Sequence, residues 1–148
     1  MAEKDKAGSP EGADKATMDT TIENMAREIA EAAWDRKALD LEIIDVRKMV
    51  SYCDYFVLCT GRSDRQVQAI ADGIGGDLRE LGYRARGVEG AQQGLWVLMD
   101  YGDIVVHIFH INEREKYSLE RLWMDAPRLP IQIPEGLTTE RDAEGFGG

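Results

Sequence analysis

Apolar residues recur at helical spacing through Ile22, Met25, Ala26, Ile29 and Ala33, with Thr20 and Glu23 three apart at the start of that stripe. A cap hydroxyl and a carboxylate three residues on can satisfy each other's free backbone donors, so the pattern predicts a helix from Thr20 to about Lys37. Residues 39–46 (LDLEIIDV) and 55–60 (YFVLCT) are short runs rich in large and β-branched apolar residues. They predict two strands joined by an irregular turn over 47–54, the second ended by Gly61. Ser63 and Gln66 repeat the capping spacing before a helix that turns Val67, Ile70, Ala71, Ile74, Leu78 and Leu81 inward. Gly73, Gly75 and Gly76 each cost that helix about 1 kcal/mol relative to alanine, and they permit close packing on a sheet. After Gly82 the pattern predicts a weak strand over Tyr83–Val88 and a loop over 89–94.

Residues 95–100 (LWVLMD) and 104–109 (IVVHIF) flank Tyr101-Gly102-Asp103, which predicts a tight hairpin. With Tyr101 and Gly102 as a two-residue loop, position 96 faces 107 and position 98 faces 105. Strand alternation puts Val97, Met99, Ile104, Val106 and Ile108 on one apolar face, which belongs to the core. The other face carries Trp96, Leu98, Asp100, Asp103, Val105, His107 and Phe109, the mixture expected of a partly exposed binding face. Burying Asp100 and His107 there without partners is costly, so this face is expected to be open at one end. Asn112 and Glu115 then predict a cap for a last helix with Tyr117, Leu119, Leu122 and Trp123, ending before Pro127. The order of elements predicts an α/β fold, a single mixed sheet of about five strands with packed helices.

Composition divides the 148 residues into one domain over 19–126 and two tails. Residues 1–18 lack an apolar period and residues 127–148 are broken by prolines, so both are expected to be disordered. The first stretch has neither the apolar core of a secretory leader nor the basic character of a transit peptide. No apolar run is long enough to span a bilayer, and a cytoplasmic location is expected. The net charge is −10, of which −5 stays in residues 21–128 once residues 1–20 (−2) and 129–148 (−3) are set aside. An acidic domain is a poor match for phosphate backbones and a better one for a basic protein surface, so no nucleic-acid specificity is expected.

Few residues suggest chemistry. Cys53 and Cys59 are expected to be reduced, partly buried thiols. His107 and His110 lie on a predicted strand, so their rings point to opposite faces and a metal site is not expected. Thr60-Gly61-x-Ser63 sits between a strand and a helix, and Asp45, Asp54, Asp100 and Asp103 supply carboxylates, as a nucleotide-binding or nucleotidyl-transferring enzyme would need. The alternative is a plain helix cap and a plain turn. Only one acid lies at the end of each hairpin strand, and no Walker loop or dinucleotide fingerprint is present, which favours that alternative. No cofactor and no catalytic residue are expected.

The same segments carry a resemblance. Residues 54–71 (DYFVLCTGRSDRQVQAIA), 87–90 (GVEG), 94–109 (GLWVLMDYGDIVVHIF) and 113–123 (EREKYSLERLW) resemble, in order, the conserved blocks of the Iojap family of bacterial ribosomal silencing factors. Membership implies a nucleotidyltransferase-like α/β fold without the activity. It also implies docking on the large ribosomal subunit at ribosomal protein fourteen, steric blockade of subunit joining, and self-association as a homodimer. The family's tryptophan, turn aspartate, strand histidine and closing-helix tyrosine match Trp96, Asp100, His107 and Tyr117. With their neighbours on the hairpin, the expected partner-binding set is Trp96, Leu98, Asp100, Tyr101, His107, Phe109 and Tyr117.

Overall fold

The computed structural model describes residues 11–117, 121 and 123–131, with side chains over 21–114, at 121 and over 123–131. Helix α1 (Glu11–Asp35) is followed by strands β1 (Leu39–Asp45) and β2 (Tyr55–Gly61) and helix α2 (Asp64–Glu80). Strands β3 (Gly87–Glu89), β4 (Trp96–Asp100) and β5 (Ile104–His110), helix α3 (Ile111–Tyr117) and strand β6 (Arg128–Leu129) complete the order. Among the described residues the strands form one mixed sheet in the order β3-β4-β5-β2-β1-β6, six strands instead of about five. Only β2 and β5 run parallel; the other neighbours are antiparallel.

Alternation along the strands separates two cores. On one face Leu41, Ile43, Tyr55, Val57, Cys59, Val97, Met99, Ile104, Val106 and Ile108 pack under Ile29 and Ala33 of α1 and Val67, Ile70 and Ile74 of α2. The other face gathers Ile44, Val46, Phe56, Leu58, Val105 and Phe109 with Ala126 and Trp123. The two helices are joined by Arg36, which donates to Asp77 at 2.7 Å. A Cβ on Gly73 would lie 2.1 Å from the Arg36 Nε. The glycine in mid-helix therefore makes room for an interhelical ion pair.

Several boundaries depart from the pattern-based expectation. α1 begins at Glu11, inside the expected tail. Once Met25–Ala33 are docked, the helix is nucleated, and the Ala, Glu and Lys residues ahead of them extend it at little cost. The C-terminal boundary also lies later than Pro127. Arg128 and Leu129 pair with Ile44 and Ile43 on the edge of β1, and Ile131 is buried. The cause is charge burial. Glu42 points to the second face and is 5% exposed, Arg128 Nε donates to it at 3.1 Å, and Arg114 approaches to 3.7 Å. A buried carboxylate needs such partners, and both come from the C-terminal part of the chain.

The strand expected at Tyr83–Val88 shrinks to Gly87–Glu89, all three exposed. Tyr83 is taken up in closing α2: Gly82 N–H donates to Arg79 C=O and Tyr83 N–H to Leu78 C=O, with Gly82 at φ +96. This is the left-handed closure that glycine accepts without strain. The last helix starts at Ile111, one residue ahead of the expected Asn112 cap, and His110 Nδ1 accepts from Asn112 N–H at 3.1 Å. Residues 1–10 and 132–148 lie outside the described residues, so the tail expectation is not addressed there.

Candidate functional site

The hairpin turn is built from backbone geometry and one carboxylate. Tyr101 N–H donates to Ile104 C=O at 2.9 Å, which makes Gly102 and Asp103 the two-residue loop. Gly102 holds φ +91, as the first loop position of a primed turn requires. Asp100 Oδ1 accepts from Gly102 N–H at 2.8 Å. Asp103 C=O accepts from Asp54 and Tyr55 N–H at 2.7 and 3.2 Å, which ties the turn to the start of β2. The loop thus lies one residue later than expected, and the register moves by two: Trp96 pairs with Phe109 and Leu98 with His107. An even shift keeps every side chain on its expected face. The turn chose the register because Gly102, not Tyr101, accepts the positive φ.

On the outer face the rings form a continuous set. Trp96 packs at 5.0 Å from Phe109, and His107 stacks over Phe109 with an interplanar angle of 6°. Phe56 meets His107 edge-on at 4.9 Å, and Trp123 meets Phe56 edge-on at 5.1 Å. Such tilted and edge contacts are the favourable ones for aromatic pairs. Trp96 Nε1 donates to His107 Nδ1 at 3.2 Å. The imidazole is then a neutral tautomer with its proton on Nε2, which has no partner among the described residues. Burial pushes the His107 pKa down to about 4, which keeps the ring uncharged near neutral pH.

The expected site residues do not all share this surface. Trp96, Leu98, Asp100 and His107 are half-buried on the hairpin. Tyr101 is not with them. It continues the inward row of Val97 and Met99, is 9% exposed, and belongs to the helix-side core. Phe109 has the expected face but is fully covered by its neighbours. Neither ring is presented at the surface. Tyr117 lies on α3, and its side chain is outside the described residues. Phe56 and Trp123, absent from the expected set, complete the aromatic layer. β2 is apolar on both faces, so nothing in its pattern distinguished Phe56 from Tyr55. Tyr52, 6.3 Å from Phe56 by ring centroids, is exposed, as are Met49, Leu95, Ile111 and Met124.

Several of the groups that suggested nucleotide chemistry have structural partners. Thr60 Oγ1 accepts from the buried Arg114 at 2.9 Å, and Ser63 Oγ caps α2 by accepting from Gln66 N–H at 3.1 Å. Gln66 Oε1 returns the bond to Arg62 N–H, one residue earlier than an ordinary capping box. Asp45 pairs with Arg47 at 2.7 Å, which holds its carboxyl below the usual range. Among the described residues no three metal-binding side chains converge. Cys53 and Cys59 are buried and unpaired, and burial pushes both thiols up to about 12. None of the helices is long and apolar enough to cross a membrane, among the described residues.

Comparison with known proteins gives a consistent set of likenesses. A family profile described as "Ribosomal silencing factor during starvation" matches residues 19–145. "Ribosomal silencing factor RsfS" of Bacillus subtilis is 46% identical over 104 residues, covering 70% of this chain and 88% of that protein. "Protein Iojap, chloroplastic" of Zea mays is 32% identical over 127 residues, 86% of this chain and 54% of that protein. The crystal structure of a Chromobacterium violaceum protein is similar with a TM-score of 0.68 at 37% identity, covering 70% of this chain and 86% of that one.

Proposed function

Since this chain belongs to the Iojap family of ribosomal silencing factors, we propose that it represses translation by docking on the large ribosomal subunit and keeping the small subunit from joining. The observation that carries the reading is the outer face of β4 and β5. It offers a half-buried tryptophan and a neutral histidine held in place by neighbouring rings, with Asp100 locked beside them in the turn. Rigid aromatic anchors with a few fixed polar groups are what hot spots of protein interfaces consist of. The net charge of −10 favours a basic protein partner, and ribosomal protein fourteen of the large subunit is the partner proposed.

The mechanism is steric and needs no catalytic group or cofactor: a body seated on the joining face excludes the small subunit. The place of action is the cytoplasm, and the free protein self-associates as a dimer. Co-sedimentation of the full chain with isolated large subunits tests the docking, and a pull-down with purified ribosomal protein fourteen tests the partner. Capture by large subunits but not by that protein would overturn the partner. No capture by subunits would overturn the reading as a whole. Sedimentation of the free chain reads its self-association.

A further inference from the structure

α1 and α2 end in the same closure, but with different residues in the left-handed position. At the end of α2 that residue is Gly82. At the end of α1, Lys37 N–H donates to Trp34 C=O at 2.8 Å and Ala38 N–H to Ala33 C=O at 3.1 Å, with Lys37 at φ +67. A side chain is strained there, so a lysine in place of glycine points to a use for its ammonium.

A cavity opens beside it. Trp34, Lys37, Ala38, Leu39 and Arg62 line about 290 Å³ of a cleft that is open to solvent. Its chemistry is unlike the rest of this acidic chain: one indole wall, two aliphatic residues and two cations, with no carboxylate in the lining. Neither Lys37 nor Arg62 is exhausted by an ion pair among the described residues; those pairs involve Arg27, Arg36, Arg47, Arg114 and Arg128. The backbone that carries Lys37 is fixed, since Gln66 Nε2 donates to Lys37 C=O at 2.9 Å and to Arg36 C=O at 3.3 Å. Arg62 follows the carboxyl end of β2, one of the two parallel strands, and in open α/β sheets ligands gather beyond the carboxyl ends of such strands. The volume falls at the lower edge of ligand pockets, about 300 Å³ and upward, enough for one small planar ligand with an anionic group.

We propose that this cavity binds a nucleoside phosphate, with the base against the Trp34 indole and the phosphate between Lys37 and Arg62. A flat base stacks on an aromatic side chain whatever its identity. Lysine and arginine donate charge-assisted hydrogen bonds to phosphate oxygens. The nucleoside phosphate can be a free nucleotide or one unit of an exposed RNA strand, because both present the same base and phosphate. Trp34 packs on the helix-side core, whereas the hairpin rings lie on the other face of the sheet, so the inference does not depend on the docking surface.

Calorimetric titration of the full chain at low salt tests it with four probes: adenosine 5′-monophosphate, guanosine 5′-monophosphate, ribose 5-phosphate and a single-stranded RNA oligonucleotide. The expected result is saturable binding of the mononucleotides, the oligonucleotide or both, with ribose 5-phosphate much weaker. Lys37→Gly and Arg62→Gln should each weaken that binding about ten-fold or more. Lys37→Gly relieves the backbone strain, so its melting temperature should equal or exceed that of the parent, which separates lost binding from lost folding. Binding by the oligonucleotide alone assigns the source to RNA, and binding by the mononucleotides assigns it to free nucleotide. The proposal is overturned by absence of binding to all four probes, by ribose 5-phosphate matching the mononucleotides, or by both variants binding like the parent.

Discussion

Trp96 Nε1 donates to His107 Nδ1 across 3.2 Å although the two residues are not cross-strand partners: Trp96 pairs with Phe109 and His107 with Leu98. The bond is diagonal, and long aromatic side chains can reach a diagonal neighbour on an antiparallel pair. It sets the tautomer of His107 and the orientation of the indole, so the two rings present one fixed surface.

Trp96→Ala should therefore weaken docking on the large subunit by about 2 kcal/mol or more, as loss of an aromatic anchor does. Trp96→Phe keeps an apolar ring and removes the donor, and should fall between the two. Melting temperature and subunit binding measured on one sample separate loss of contact from unfolding. If both variants stay folded and bind as the parent does, the hairpin face is not the docking surface.

Acid should destabilise the fold through His107. Its folded pKa is pushed down to about 4 by burial, so between that value and the ordinary 6.5 the unfolded chain takes up a proton that the folded one refuses. The contribution is fully present above pH 6.5 and is lost as pH falls, at about 1.4 kcal/mol per pH unit. His107→Phe should flatten that part of the stability-pH curve in urea unfolding. An unchanged slope would mean that His107 titrates as an exposed imidazole does.

The Glu42 network should show the asymmetry of buried charge. Arg114→Met leaves Glu42 with only part of its compensation and should cost about 3–5 kcal/mol. Joining it with Glu42→Leu removes the buried charge as well, and the double variant should recover part of the loss. Chemical denaturation of the two variants decides; additive losses would show that the residues act independently.

Gly73→Ala should lose an ordinary advantage. Alanine in a helix interior usually gains about 1 kcal/mol over glycine, but here the new methyl meets the Arg36 side chain. That side chain must swing away from Asp77, breaking a partly exposed pair worth up to about 1 kcal/mol. The variant should melt close to the parent, and Arg36→Ala in the same chain should restore the alanine advantage. A full rise in melting temperature from Gly73→Ala alone would show that the ion pair contributes nothing.

Much of the fold could be read from periodicity, because each element announces its buried side through its own repeat. The stripe Ile22–Ala33, the Ser63 cap and the split of the hairpin into Val97, Met99 and Ile108 against Trp96, Leu98 and His107 are local properties of the chain. So was the likeness of the ordered blocks to the ribosomal silencing factors. Periodicity could not say which residues close over the second face. Phe56 and Tyr55 are equivalent in a strand apolar on both sides, and only the placement of His107 and Trp123 against Phe56 puts it in the aromatic layer. Tyr101 looked like a loop residue until the positive φ of Gly102 moved the turn and sent its ring inward. Arg128 looked like tail until the buried Glu42 required it, and Lys37 looked like an ordinary helix end until the cavity beside Trp34 was formed. Sequence alone determined which faces are apolar, since that depends on neighbours in the chain. Tertiary structure decided which polar groups meet, since burying a charge or choosing a register depends on residues far apart in it.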